Sequence, residues 1–372
     1  MANKRKIRVA VLFGGRSGEH EVSLLSAQSV VRALDPERFE AVLIGIDKSG
    51  QWHFADPQHF IEKSDTGKLP RLAAQWGLVQ LGPSGGRSAL QVIGSRHSLG
   101  EVDVVFPVLH GTFGEDGTIQ GLLRLLDLPF VGPSVLASAV GMDKEVTKRL
   151  WRDAGLPIGR FRTGWRHRAD EISYEELSRD LGSPFFLKPA NAGSSIGVHK
   201  IKNGPELKAG LIDAFQYDHK VLFEEYVPGR EIEVSVLGNE NPVASLPGEL
   251  IPSHDFYSYE AKYIDEQGAR FEIPARLPED VVRELQDVAV RAFQCLGCEG
   301  MARVDFFLSK GGQLFLNEVN TIPGFTAISM YPKMWEASGL GFTELINKLI
   351  ELALARHQRD TQLKTEFTAI SE

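Results

Sequence analysis

The chain has 372 residues, 42% of them hydrophobic and 24% charged, with a net charge of -8. That length exceeds one ordinary core, so two or three domains are expected, and the acidic balance excludes the broad phosphate-neutralising surface that general nucleic-acid binding needs. No stretch of sequence is long and apolar enough to span a bilayer, which excludes a membrane-spanning helix.

The first segment, "MANKRKIRVAVLFGG", is basic and then apolar only from Ile7 to Phe13 before Gly14-Gly15. That is too short for a secretion signal, so it reads as a β-strand of a protein expected in the cytoplasm. A Gly-rich loop, "GGRSGEHEVS", follows, then the helix "LLSAQSVVRAL" and a second strand, "FEAVLIGID". The first loop does not fit G-x-G-x-x-G, and the only acid ending the second strand is Asp47, which sets aside a nicotinamide-dependent oxidoreductase. The stretch 51–100 is richer in Gly, Ser and His, with weak periodicity, and reads as an elaboration of the first domain. A third strand, "DVVFPVLH", ends at "GTFGEDGT" and is followed by the helix-like "IQGLLRLL". Strands alternating with helices predict a parallel sheet covered on both faces, an α/β unit whose loops after strand C-termini line the ligand crevice. Glu19 and His110 fall in those loops, although "GEHE" reads equally well as a polar helix start.

A helix is predicted from Lys144 to Ala154, stopped by Gly155 and Pro157. Beyond it "FFLKPANAGSSIGVHKI" is hairpin-like and "VLFEEYV" strand-like, in a smaller unit. "EIEVSVLG" opens a third region, with a helix from Glu279 to Leu296 and a β-hairpin made of "MARVDFFLS", "GGQ" and "LFLNEVN". Boundaries near 141 and 226 give three domains, 1–141, 142–226 and 227–372. The two cysteines, Cys295 and Cys298, have no second pair to complete a zinc site and read as reduced thiols at a packed helix end. The polar tail after His357 reads as loosely ordered.

Three segments carry chemistry. Gly193, Ser194, Ser195 and Gly197 let the backbone approach an anion, with Lys188 as a point charge beside the loop; the plain alternative is a hairpin turn with a surface lysine. Asp305 on one strand of the last hairpin and Glu318 and Asn320 on the other share a face, an oxygen set suited to Mg²⁺, with Arg303 beside it. Solvent-facing strand residues are the alternative there. Glu231, in "FEEYVPGREIEV", stands where two domains join and is placed to accept bonds from ribose hydroxyls, or is part of a polar linker.

In order along the chain, "GGRSGEHEVS", "PVLHGTFGEDGTIQG", "VGPSVLASAVGMDK", "LKPANAGSSIGV", "EEYVPGREIEV", "YEAKY", "RVDFF" and "NEVNTIPGFTAIS" resemble the D-alanine–D-alanine ligases of the ATP-grasp superfamily. The resemblance covers nearly the whole chain. It implies an N-terminal Rossmann-like sheet plus two α+β subdomains enclosing ATP, and a cytoplasmic homodimer that joins two D-alanines for peptidoglycan synthesis. It also implies that Lys144, Lys188 and Lys262 hold the phosphates under a loop of Gly193, Ser194 and Ser195. Glu224, the backbone of Glu225 and Val227, and Glu231 would receive adenine and ribose. Asp305, Glu318 and Asn320 would bind two Mg²⁺ or Mn²⁺ ions. Glu19 would meet the ammonium of the first D-alanine in a network with Ser194 and Tyr263, with His110 near its carboxylate. Arg303 and Gly324 would stabilise the oxyanion, and Ser329 would bind the second substrate. Tyr263 resembles the dipeptide-forming ligases rather than those that take D-lactate, and "SHDFYSYEAKYIDEQGARF" reads as a mobile lid. The alternatives are a D-alanine–D-lactate or other carboxylate–amine ligase of the same superfamily, or a non-catalytic nucleotide-binding protein on that scaffold, which the full set of phosphate and metal residues disfavours.

Overall fold

The computed structural model describes residues 5–56, 60–62, 70–72, 77–84, 87–92, 98–252, 269–326 and 328–364. Three strands, β1 (Ile7–Gly14), β2 (Phe39–Ile46) and β4 (Val104–Val108), run parallel with β1 in the middle. The edge strand β3 (Trp52–Ala55) joins β2 antiparallel. Along β1 the side chains alternate between two cores. Val9, Val11 and Phe13 pack with Leu24 and Phe106, whereas Ala10 and Leu12 pack with Ile119 and Leu123. Burial on both faces is why the strand reads as one apolar run. Within the segment 51–100, the described residues add β3 to this sheet and form short antiparallel pairs such as Val79–Ser84 with Arg87–Val92.

Strand β1 ends at Gly14 with φ +89°, where a Cβ would fall 2.2 Å from the Ile46 carbonyl oxygen. Neither atom belongs to a flexible side chain. Gly14→Ala is therefore expected to lower stability by about 2–3 kcal/mol, through left-handed strain plus displacement of β2. Urea unfolding checks this, and a loss below ~0.5 kcal/mol would mean that the strand ends separate freely.

The central unit is a sheet of β5 (Phe161–Trp165), β8 (Lys220–Glu225), β6 (Phe185–Pro189) and β7 (His199–Ile201), in that order and all antiparallel. Its core is separate, built from Leu177, Phe185, Leu187, Leu207 and Phe223. Helix α4 (Lys144–Asp153) leads into it, after α1 (His20–Ala33), α2 (Thr118–Leu125) and α3 (Val135–Met142). Asp143 caps α4 by accepting from the backbone of Glu145 and Val146, each at 3.1 Å. It also binds Lys220 Nζ at 2.5 Å, tying the helix start to β8.

The third sheet is antiparallel, with β9 (Gly229–Gly238) between β10 (Gly248–Pro252) and β12 (Gly300–Ser309), and with β11 (Ala269–Glu272) and β13 (Leu314–Asn320) outermost. The helix Glu279–Cys295 covers one face, burying Leu285 and Phe293 against Val234 and Val304. Neither cysteine forms a disulfide, and burial pushes the Cys298 thiol up to about 12, so it stays protonated. The last helix, Phe342–Asp360, continues past His357, where a loose tail was expected. It returns to the first sheet: Leu345, Ile346 and Leu349 share a core with Val9, Val11 and Phe106. Its buried Arg356 donates to the carbonyls of Gly132 and Phe130, at 2.5 and 2.8 Å. The first and third sheets thus share one hydrophobic core, while the central unit keeps its own.

Candidate active site

The last hairpin builds one wall. Arg303 faces Asn320 across β12 and β13, and Asp305 faces Glu318; Glu233 of β9 pairs with Asp305 on the other side. Val304, Phe306 and Leu316 point to the opposite face and fill the core, as strand alternation requires. The register shifts after Asp305, and this bulge inserts Asn317 between the paired residues. Arg303 donates to both oxygens of Asp305, each at 2.7 Å, and its Nε lies 3.1 Å from Glu233 Oε2. Asn320 donates to Asp305 at 3.0 Å. Burial works against the charge on Arg303, but Asp305 and Glu233 outweigh it and hold the guanidinium well above its usual pKa.

Among the described residues, no group of three or more His, Cys, Asp or Glu side chains is placed to hold a metal. The expected set is two carboxylates and one amide, all hard oxygen donors, and it carries too few protein ligands for a closed cage. That chemistry fits a cation such as Mg²⁺, which keeps waters and takes phosphate oxygens as its remaining ligands.

The opposite wall is cationic. Lys188 at the end of β6 places its ammonium 2.6 Å from Glu224 Oε2 and 3.2 Å from Asn317 Oδ1. Lys144 donates to the Ala192 carbonyl at 2.8 Å and lies 3.5 Å from Glu318. Burial alone would raise Glu224, but Lys148 and Lys188 overcome it and hold the carboxylate at about 2. The Glu225 side chain is committed to Arg160, at 2.7 Å to both its backbone N and its Nε. Val227 and Glu231 line the same cavity.

Between the walls lies the loop after Lys188. Ser194 and Ser195 adopt φ of +54° and +59°, strained for residues with a Cβ. That backbone aims Ser194 Oγ at Glu19 Oε1, 2.5 Å away. Gly193 passes so close that a Cβ would meet Glu19 Oε2 at 3.1 Å. Glu19 itself precedes α1, with Glu21 in the first turn, so the polar-helix-start reading of this motif holds. Ser329 Oγ accepts from Thr326 N at 2.9 Å, and a Cβ on Gly324 would lie 2.8 Å from that oxygen. These residues surround a cavity of about 730 Å³ that also reaches Lys144, Arg303 and Glu318. Lys262, Tyr263 and the rest of the expected lid up to Gly268 lie outside the described residues, whereas its last three residues, Ala269, Arg270 and Phe271, are not lid but the start of strand β11, paired with β10.

His110 is buried with both ring nitrogens engaged, Nδ1 at 3.0 Å from the Ile322 carbonyl and Nε2 at 3.1 Å from Ser26 Oγ. A carbonyl can only accept, so Nδ1 carries the proton and Nε2 accepts from the hydroxyl. Burial lowers the pKa and keeps the ring neutral. The side chain reaches the cavity wall, and its bonds hold the Ile322 turn.

Two site residues had no sequence signal of their own. Lys148 was hidden as one more lysine in "KEVTKRLW", although its position one turn after Lys144 and three before the buried Trp151 puts it on the inner face of α4. Glu115 accepts from Gly111 N at 2.7 Å and Ile322 N at 3.2 Å, joining the loop after β4 to the turn after β13. Burial, assisted by Glu19, pushes its carboxyl up to about 8. The native state therefore holds a proton that the unfolded chain releases near 4.5, so this group's contribution to stability is present below about 4.5 and is lost as pH rises to about 8. In Glu115→Gln that slope should vanish. Melting temperatures of both proteins across this range are the check, and parallel curves would place the Glu115 pKa near its ordinary value.

Two family models match the chain: D-ala D-ala ligase N-terminus over residues 8–133 and D-ala D-ala ligase C-terminus over residues 150–351. The D-alanine–D-alanine ligase of Oceanobacillus iheyensis is 51% identical over 97% of this chain and 98% of its own. D-alanine–D-alanine ligase A of Escherichia coli is also 51% identical, over 97% of this chain and 99% of its own. Among solved structures, the D-alanine–D-alanine ligase from Coxiella burnetii superposes with a TM-score of 0.83 at 38% identity, covering 96% of each chain. The VanG D-Ala:D-Ser ligase from Enterococcus faecalis gives 0.80 at 34% identity, over 94% of this chain and 100% of that one.

Proposed function

The chain belongs to the D-alanine–D-alanine ligase family, and from that premise we propose that it joins two D-alanines at the expense of ATP, through a D-alanyl phosphate, as a step in peptidoglycan precursor synthesis. The observation that carries the reading is the cavity itself. One wall offers the carboxylate–arginine hairpin, the opposite wall offers buried lysines, and an anionic pocket, Glu19 with Ser194, lies at the loop between them.

The carboxylate of the first D-alanine attacks the γ-phosphorus, the bond to the β-γ bridging oxygen breaks, and ADP leaves. The amine of the second then adds to the acyl carbon, and the tetrahedral intermediate expels phosphate as the amine loses its proton. Glu19 binds the first ammonium and is held in place by Ser194. Lys144 and Lys188 face the phosphates, Lys262 reaches the transferred group, and Gly193, Ser194 and Ser195 close over them. Glu224, the backbone of Glu225 and Val227, and Glu231 take adenine and ribose. Arg303 and the Gly324 backbone stabilise the oxyanion, where fixed donors in a dry site lower the barrier most. Ser329 receives the second carboxylate. Two Mg²⁺ or Mn²⁺ ions held by Asp305, Glu318 and Asn320 would neutralise charge on the phosphate oxygens. His110, kept neutral, is read as fixing the turn that carries Gly324, and Tyr263 as completing the Glu19–Ser194 network. The domains proposed are 1–141, 142–226 and 227–372.

The test is phosphate release from ATP and Mg²⁺ with D-alanine, L-alanine, or D-alanine plus D-serine or D-lactate, with product masses recorded. Release that requires D-alanine and yields the D-Ala-D-Ala mass is expected. A mixed product formed in preference would move the chain to the D-serine or D-lactate branch. A cytoplasmic homodimer through the first unit completes the proposal, supported by Leu125 and Leu136, 87% and 70% exposed on the contacting helices α2 and α3; a monomer mass in sedimentation would remove it.

A further inference from the structure

Lys148 is 3% exposed. Its ammonium lies 2.7 Å from Glu224 Oε1 and 3.3 Å from the Leu316 carbonyl. The other oxygen of Glu224 lies 2.6 Å from Lys188. One buried carboxylate is thus bracketed by two ammonium groups, beside the bulge that presents Asn317 to Lys188. A buried lysine is kept only where it is paired, and Lys188 by itself already supplies the counter-charge that Glu224 needs. The second lysine changes the balance. Lys188 with Glu224 sums to zero, so that pair adds no charge to attract a phosphate; with Lys148 the three groups sum to plus one. Lys148 also reaches from the central unit to a carbonyl of the third sheet, so it pins Glu224 at the seam between the two.

We infer that Lys148 is a positioning residue for the nucleotide: it fixes Glu224 by Oε1 and offsets its charge, so that Lys188 keeps a net positive charge for the phosphates. This rests on the assignment of Glu224 and Lys188 to the nucleotide site proposed above.

Steady-state kinetics on the full chain test it. In Lys148→Met the KM for ATP is expected to rise about tenfold or more, because Glu224 loses its Oε1 partner and then takes up the charge of Lys188 in full. The KM for D-alanine should move less than about twofold, and Lys148→Arg should recover most of the loss. Inorganic tripolyphosphate, competing with ATP, isolates the charge effect because it has no adenine. Its inhibition constant should weaken about tenfold in Lys148→Met and tighten in Glu224→Gln, where the cluster carries plus two. A loss confined to folding would leave that constant unchanged in the surviving protein. An ATP KM within twofold of wild type in Lys148→Met overturns the inference. If Lys188→Met in parallel still weakens ATP, the nucleotide-site reading stands without it; if it does not, that reading falls too. Should Lys148→Met fail to fold, Glu224→Gln decides alone: unchanged tripolyphosphate binding overturns the inference.

Discussion

Arg303→Met is expected to lower kcat by about 10²–10³-fold and to destabilise the free protein by about 3 kcal/mol. The two losses have different origins. Stability falls because Asp305 and Glu233 would be left facing each other across β9 and β12 with their shared cation removed. The rate falls because, under the proposed role, the same guanidinium meets charge that develops on oxygen during acyl transfer. Arg303→Lys separates them. It keeps a cation and should restore much of the stability, but it cannot reproduce the two parallel bonds to Asp305, so the rate should stay low. Urea unfolding and single-turnover kinetics on both variants read the two effects independently. A kcat within tenfold of wild type in Arg303→Met would confine this arginine to a structural role.

Glu19→Gln is expected to reduce kcat/KM for D-alanine by about 10²–10³-fold, the consequence of removing one partner from a desolvated charge pair. KM for ATP should change by less than about twofold, because Glu19 sits beyond the loop from the lysines. Ser194→Ala should cost about tenfold, the worth of a hydrogen bond to a charged group. The double variant should fall short of the product of the two, since Glu19→Gln already removes the charge from the Ser194–Glu19 bond that Ser194→Ala deletes. Varying D-alanine at saturating ATP gives the first number, and varying ATP gives the second. A rise in both KM values together would mean that Glu19 shapes the loop rather than the amino-acid pocket.

Sequence alone carried the parts whose information is local. Alternation in "RVDFF" and "LFLNEVN" put Arg303, Asp305, Glu318 and Asn320 on one face and their apolar neighbours on the other, and the hairpin folds that way. The strand–loop–strand order around Lys188 likewise gave an antiparallel pair. Gly155 and Pro157 marked the end of α4, which closes at Asp153. Motif order then carried the family resemblance, from which the proposed residue roles follow.

What the sequence left open concerns partners far apart in the chain. Periodicity says which face of an element is buried, but not which distant segment covers it. Glu115 bonds a backbone N–H 207 residues away, His110 a carbonyl at 212, and Lys148 a carbonyl at 168. Read locally, these are a loop acid, a loop histidine and one lysine among several. Their charge states follow from burial, which pushes Glu115 up and His110 down, and burial exists only once the sheets have packed. The last helix offers the same lesson, since its apolar stripe required a cover and the first sheet supplied it. Local side-chain pattern determined the elements and the chemistry they display; tertiary packing decided which charges are paired, because desolvation and ion pairing depend on what surrounds a group rather than on what precedes it in the chain.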